Sequence, residues 1–247
     1  MLNKSLRSLL TNRVTLLLLW AAWSQCCSGQ LETPQGFKDL PFKFTHDATV
    51  DLLTVNEELI RREEMILFAQ INYPAVLRHF HGTQGTDPGA DFWDQPFDGV
   101  SPRTDLLRRT LVTSVEVKVR LLMAREFGIR GEVNFENVER RWQVENLRRQ
   151  EAAERGEELF GPVQYTLLEY VENDLRSLDA ALMQMLEEKE LLKNADSIWD
   201  RQPGESRLER MQRSYKAYLK GEVEKSIVRV NQENVLSLDL VTGQPGT

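Results

Sequence analysis

The stretch "SPRTDLLRRTLVTSVEVKVRLLMAREFG", residues 101–128, decides how the rest of the chain is read. Ser101 has a hydroxyl that can accept from a first-turn amide left without a partner inside the helix. Pro102 suits that first turn, where its missing N–H removes no bond. Leu107, Leu111, Val115, Val119, Leu122 and Met123 recur at helical spacing and make one apolar stripe. Gly128 can adopt the left-handed conformation that ends a helix. The period predicts a helix over the whole stretch.

The same period continues downstream. "NFENVERRWQVENLRRQEAAERG", residues 134–156, is a second helix with a thin stripe of Phe135, Val138 and Trp142, Leu147 lying further round. Its remaining surface is charged. "FGPVQYT" then reads as a rigid linker. Thr166 with Glu169 three positions on forms a capping box for a long helix buried through Leu167, Val171, Leu175, Leu178, Leu182, Met185 and Leu186. Trp142 is expected in the core, as the main anchor of the thin-striped helix against this long one. "DSIWDRQPGES" interrupts. A last helix, about 205–222, carries Leu208, Met211, Tyr215, Tyr218 and Leu219. In "SIVRVNQENVLSLDL" the β-branched residues and a central turn predict two short strands.

Upstream, a helical pattern begins at Arg61, with Leu67, Ile71 and Ala75 near one face and Phe68, Val76 and Phe80 beside them. Pro74 is expected to kink or split it, because it removes a donor and clashes with the preceding turn. "VDLLTVNEELI", residues 50–60, reads as a strand, a turn at Asn56 to Glu58 and a short return. Pairing 50–60 with 226–240 would tie the first and last elements together. The expected fold class is mainly α, a helical domain over 50–240 with a small β element drawn from both ends. Residues 30–49 read as a flexible, turn-rich segment and 241–247 as a disordered tail.

The first 29 residues have the order of an export signal. Lys4, Arg7 and Arg13 precede the apolar run "VTLLLLWAA", and small and polar residues follow. A run of nine residues is too short to cross a bilayer as a helix. The expected location is outside the cytoplasm, secreted or associated with the cell envelope. Cys26 and Cys27 both fall in this segment, so secretion and lipid anchoring at one of them both stay open. The whole chain has 31 basic and 38 acidic residues. Removing Lys4, Arg7 and Arg13 with the signal leaves 28 basic and 38 acidic, a net charge of -10. Such a surface argues against nucleic acid as a partner.

Chemistry has little to stand on. "HFHGTQGTDPGADFWDQPF", residues 79–97, gathers His79, His81, Asp87, Asp91 and Asp94, but lacks zinc or EF-hand spacing. Phe92, Trp93 and Phe97 in that polar loop are expected to pack back over the ends of the flanking helices. No serine has a nucleophile-elbow frame, and no glycine loop has phosphate or dinucleotide spacing. Neighbouring glutamates such as Glu63 and Glu64 read as solvated helix surface. No catalytic residue, cofactor or metal is assigned.

Several segments resemble, in order, those of SurA N-terminal-domain-like proteins, relatives of the SurA- and PrsA-type extracytoplasmic foldases. They are "VNEELIRREEMILF", "DFWDQPFDGVSP" with "LVTSVEVKVRLLMAREFGI", "FENVERRWQVENLRRQEAAERGEELFGPVQYT" and "VRVNQENV". The most specific is "AERGEELFGPVQYTLLEYVENDL". The resemblance implies one helical chaperone domain assembled from N- and C-terminal segments, with "VNEELI" as its opening hairpin. The family often has Gly at the position of Glu57. It also often carries an inserted parvulin isomerase domain, for which the short segment 193–209 leaves no room. The reading that follows is a non-catalytic chaperone-like protein binding unfolded or partly folded secreted polypeptides. Phe68, Ile71, Trp142, Tyr170 and Trp199 are its candidate polypeptide-binding residues. A prolyl isomerase and a structural or assembly protein at the cell surface are the alternatives, and a homodimer stays open.

Overall fold

The computed structural model describes residues 34–81, 91–192 and 205–241. The export signal, the lipidation candidates Cys26 and Cys27, Asp87, Trp199, the side chain of His81 and residues 242–247 lie outside them. The chain divides into two units, 1–38 and 39–247. Of the first, a 3-10 turn at Gln35–Phe37 is described. The second holds the strands β1 (Phe44–His46), β2 (Leu53–Val55), β3 (Glu58–Ile60) and β4 (Val228–Val230). Its helices are α1 (Arg62–His81), α2 (Pro102–Glu126), α3 (Phe135–Glu154), α4 (Leu167–Glu188), α5 (Arg207–Lys225) and α6 (Gln232–Leu236). It is mainly α with a small sheet from the two ends of the described chain, as the periodicity predicts.

Residues 101–128 form the central helix and its ends. Ser101 caps α2 by accepting from the Thr104 amide, and Gly128 follows its end with φ +70°. The expected stripe is buried except at Leu122, which is partly so. A second face, with Leu106, Val117 and Leu121, is buried as well. The helix is covered on more than one side because α1, α4, α5 and strands β2 and β3 all pack on it.

The sheet runs in the order β1-β4-β2-β3. Leu53 of β2 stands opposite both Ile60 and Val230, in antiparallel register. Leu53, Val55, Ile60, Val228 and Val230 form its buried face, while Leu59 and Arg229 face water. The turn between β2 and β3 holds two residues of left-handed backbone, Asn56 at φ 49° and Glu57 at φ 71°, the mirror-image turn that suits a twisted hairpin. Asn56 also binds across to Ile227, donating its amide at 2.9 Å and accepting on its side chain at 2.8 Å. The expected link between the opening hairpin and the closing segment is therefore made.

Three expectations are corrected. α1 runs unsplit from Arg62 to His81 with Pro74 inside it. Pro74 and Gln70 both face solvent, so water can replace the bond lost to the Gln70 carbonyl. Phe44–His46, read as part of a turn-rich segment, forms a strand parallel to β4. The second strand expected within 226–240 is instead the helix α6. Asn231 caps it through the Asn234 amide at 3.2 Å and also donates to the Val50 carbonyl at 3.0 Å.

The aromatic loop packs as expected. Trp93 lies against Tyr73 of α1 with ring centroids 4.9 Å apart, and Phe97 against Phe80 at 5.4 Å. Phe92 is buried and touches both Trp93 and Phe97. These rings close the joint between α1 and α2.

Candidate polypeptide-binding surface

Phe135 and Val138 in the first turns of α3 meet Leu67 of α1 and Val171 of α4 in a small buried cluster. Ile71, Leu167, Leu168, Tyr170 and Leu175 pack around it and stay only partly covered. Phe68, one residue from Leu67, is buried beneath and belongs to the core. The sequence candidates Phe68, Ile71 and Tyr170 are thus brought to one place, Phe68 as its floor and the other two at its rim.

A polar clamp holds this junction. Arg130, just after α2, donates through both terminal nitrogens to the Asp174 carboxylate, each at 2.7 Å, and Arg141 of α3 reaches the same group at 3.4 Å. Burial pushes the Tyr170 phenol above its ordinary range, and the Asp174 carboxylate adds to the shift against a hydrogen bond from Arg141. Tyr170 stays neutral at physiological pH and acts there as an apolar ring with a polar edge.

Beneath the cluster lies a buried ion pair. Lys118 of α2 donates to Glu64 of α1 and to the Val133 carbonyl, both at 3.2 Å. The second carboxylate oxygen accepts from the Arg61 amide at 2.8 Å. Lys118 and Glu64 are 1% and 2% exposed. Glu64 is therefore not the solvated surface residue that its neighbour Glu63 suggests. Burial pushes its carboxyl above the usual range, although Lys118 and the Arg61 amide pull it the other way. The arrangement fixes α1, α2 and the entry to α3 relative to one another.

Beyond the cluster, α3 extends as an arm, and the chain returns along it as a strap, residues 157–166. The reversal is a Schellman turn. Gly156 (φ +72°) donates to the Ala153 carbonyl, and Glu157 to that of Ala152. Trp142, Asn146 and Arg149 lie on one face of α3 and all hold the strap. Trp142 Nε1 donates to the Tyr165 carbonyl at 2.8 Å. Asn146 pairs with Tyr165 in both directions, donating at 2.9 Å and accepting at 2.8 Å. Arg149, 5% exposed, donates to the Phe160 carbonyl at 2.6 Å and the Pro162 carbonyl at 2.8 Å, with its guanidinium 4.6 Å from the centre of the Tyr165 ring.

The strap presents what it carries. Phe160 is 85% exposed and Val163 is 46% exposed. A ring left in water on a segment pinned by a buried arginine is not a frayed end. Trp142 is only partly buried, and its role differs from the one expected of it. It ties down the strap, while Phe135 and Val138 anchor α3 against α4.

Arg149 and Phe160 are the residues that sequence reasoning passed over. Phe160 stands in a run of charge, Gly and Pro, the same signal that singled out Phe92, Trp93 and Phe97. By its sequence the strap is a linker, which has no use for a ring. The cavity bordered by Glu64, Phe68, Leu121 and Leu175 has about 20 Å³. The cleft between Asn56, Met123, Glu126 and Glu222 has about 110 Å³. Both fall well short of the ~300–1,000 Å³ typical of small-molecule sites. Among the described residues, no three His, Cys, Asp or Glu side chains are grouped to share a metal ion, and no helix is long and apolar enough to cross a membrane. No protein-family model matches the chain, and neither a curated protein nor a solved structure matches it.

Proposed function

We propose that the chain is a non-catalytic, extracytoplasmic, chaperone-like protein that holds non-native polypeptide, in the manner of the SurA N-terminal-domain-like proteins its segments resemble. The observation that carries the reading is Phe160. Its ring is held out in water by a strap whose backbone is fixed by Trp142, Asn146 and Arg149. Val163 on the same strap and the partly covered rim of Ile71, Leu168 and Tyr170 supply further apolar area. A binder of unfolded chains needs apolar groups that stay accessible and do not demand one sequence. Holding them on a pinned segment lowers the ordering cost of contact. The sheet that joins residues 44–60 to 228–230 agrees with the resemblance, in which N- and C-terminal segments share one domain.

The test is light scattering of an unfolding client with the purified protein present. The reading expects scattering to fall at a few-fold molar excess and much of that protection to disappear in Phe160→Asp. No protection at several-fold excess contradicts it.

A further inference from the structure

On the side of α3 turned away from the strap, a second apolar feature stands in water. Arg140, Val144, Leu147 and Glu151 follow one another at spacings of four, three and four, the stripe of a coiled-coil seam. They sit roughly 140–200° round the helix from Trp142. Val144 is 63% and Leu147 58% exposed. Arg140 and Glu151 are exposed too, and among the described residues they pair at the surface, Arg140 with Glu132 at 2.9 Å and Glu151 with Arg155 at 3.9 Å.

The order of these four residues is self-complementary. Laid antiparallel on a copy of itself, with the two-fold axis passing between Glu145 and Asn146, the stripe sets Val144 opposite Leu147 and Arg140 opposite Glu151, each pair occurring twice. A parallel, in-register pair would instead set Arg140 on Arg140 and Glu151 on Glu151. The flanks tolerate the antiparallel arrangement. Gln143 and Gln150 lie on one side. On the other, Arg141 and Arg148 are each already engaged with a carboxylate of their own chain, Asp174 at 3.4 Å and Glu145 at 2.7 Å. An unrelated partner would have no need of charges that mirror each other about the helix centre.

We infer that this face of α3 is the interface of a two-fold symmetric homodimer, with the two α3 helices antiparallel and Arg140 of each chain paired to Glu151 of the other. The inference does not rest on the chaperone reading, since the strap and the rim residues lie off this face. Two apolar layers bury less than a standard interface, so the dimer is weak and its equilibrium is sought at and above ~1 μM, the weak end for interfaces of standard size.

Sedimentation velocity of the full chain across that concentration range tests it. The expected result is a reversible monomer–dimer equilibrium that weakens at least tenfold in Arg140→Glu and in Glu151→Arg, and returns in the double variant that swaps both charges. Restoration by the swap cannot come from the apolar N-terminal run, which all four proteins share. Both positions are exposed, so the thermal transition followed by circular dichroism should stay unchanged. A monomer at every concentration overturns the inference. So does a dimer indifferent to the charges, or single variants that the swap does not rescue. It is equally overturned if Val144→Ser with Leu147→Ser leaves association intact and abolishes client protection, because the face then belongs to the client.

Discussion

At the scale of single residues, the Glu64–Lys118 pair carries the largest consequence. Removing one partner of a buried pair leaves a charge without compensation, so Lys118→Met is expected to cost about 3–5 kcal/mol at neutral pH by denaturant titration. Replacing both, Glu64→Leu with Lys118→Met, should recover most of that loss. The pH dependence has a definite sign. A carboxyl whose folded pKa is raised adds stability that is fully present below its unfolded pKa and is lost as pH rises through the folded one. Glu64 is raised by burial. The Lys118→Met penalty should therefore shrink as the solution is acidified and Glu64 takes a proton, and a penalty that grows toward acid would contradict this. Glu57 gives a second, smaller expectation. Its φ of 71° is left-handed, where a side chain costs about 1–2 kcal/mol and glycine nothing. Part of the gain is offset by the freedom glycine has in the unfolded chain. Glu57→Gly should raise stability by about 0.5–1 kcal/mol, and a lower unfolding midpoint would show the turn is not under that constraint. The turn at Glu57 had a signal in the resemblance, whose members often have Gly there, whereas the pair was not legible, because Glu64 takes its meaning from a lysine that the sequence places far away.

At the scale of elements, the strap depends on Gly161. Its φ is +86°, and a Cβ there would stand 3.2 Å from the Tyr165 hydroxyl. Gly161→Ala is expected to loosen the strap at a cost of about 1–2 kcal/mol. Hydrogen exchange at the Tyr165 amide, which donates to Asn146, should quicken while exchange in α2 stays as it was. Unchanged exchange at Tyr165 would mean the strap is held some other way. Helix periods were plain in the sequence, and so were the caps at Ser101 and Thr166. Both signals are local, and the structure places both caps as expected. The second buried face of α2 was not, since one stripe at helical spacing is visible whether or not a helix is also covered on another side. β1 and α6 escaped for a related reason. A three-residue strand exists only through its partner, here β4 near the other end of the described chain. The helix α6 depends on Asn231, which reads as a turn residue until its carbonyl partners in the opening loop are known.

At the scale of the whole molecule, the described chain is a central helix packed by three others and closed by a sheet that draws on both ends. Polar bonds tie α1, α2 and the entry to α3 together at the Glu64–Lys118 pair, and exposed Val144, Leu147, Phe160 and Val163 stand on the arm and strap that leave this junction. The candidate surface was only partly legible. Ile71 and Tyr170 both stand at its rim, Phe68 lies under it, and Trp142 serves the strap, whereas Phe160, a ring amid charge, Gly and Pro, had a signal in the sequence but not the fixed backbone that Arg149 gives it. The most direct measurement of the central claim is site-specific photo-crosslinking to an unfolded polypeptide, with the crosslinker placed at Phe160, at Val163 and, as a control, at the exposed Asp51 beside the sheet. Strong crosslinks are expected from positions 160 and 163, little from 51, with competition by a second unfolded chain. Equal yields from all three, or none from the strap, would contradict the claim.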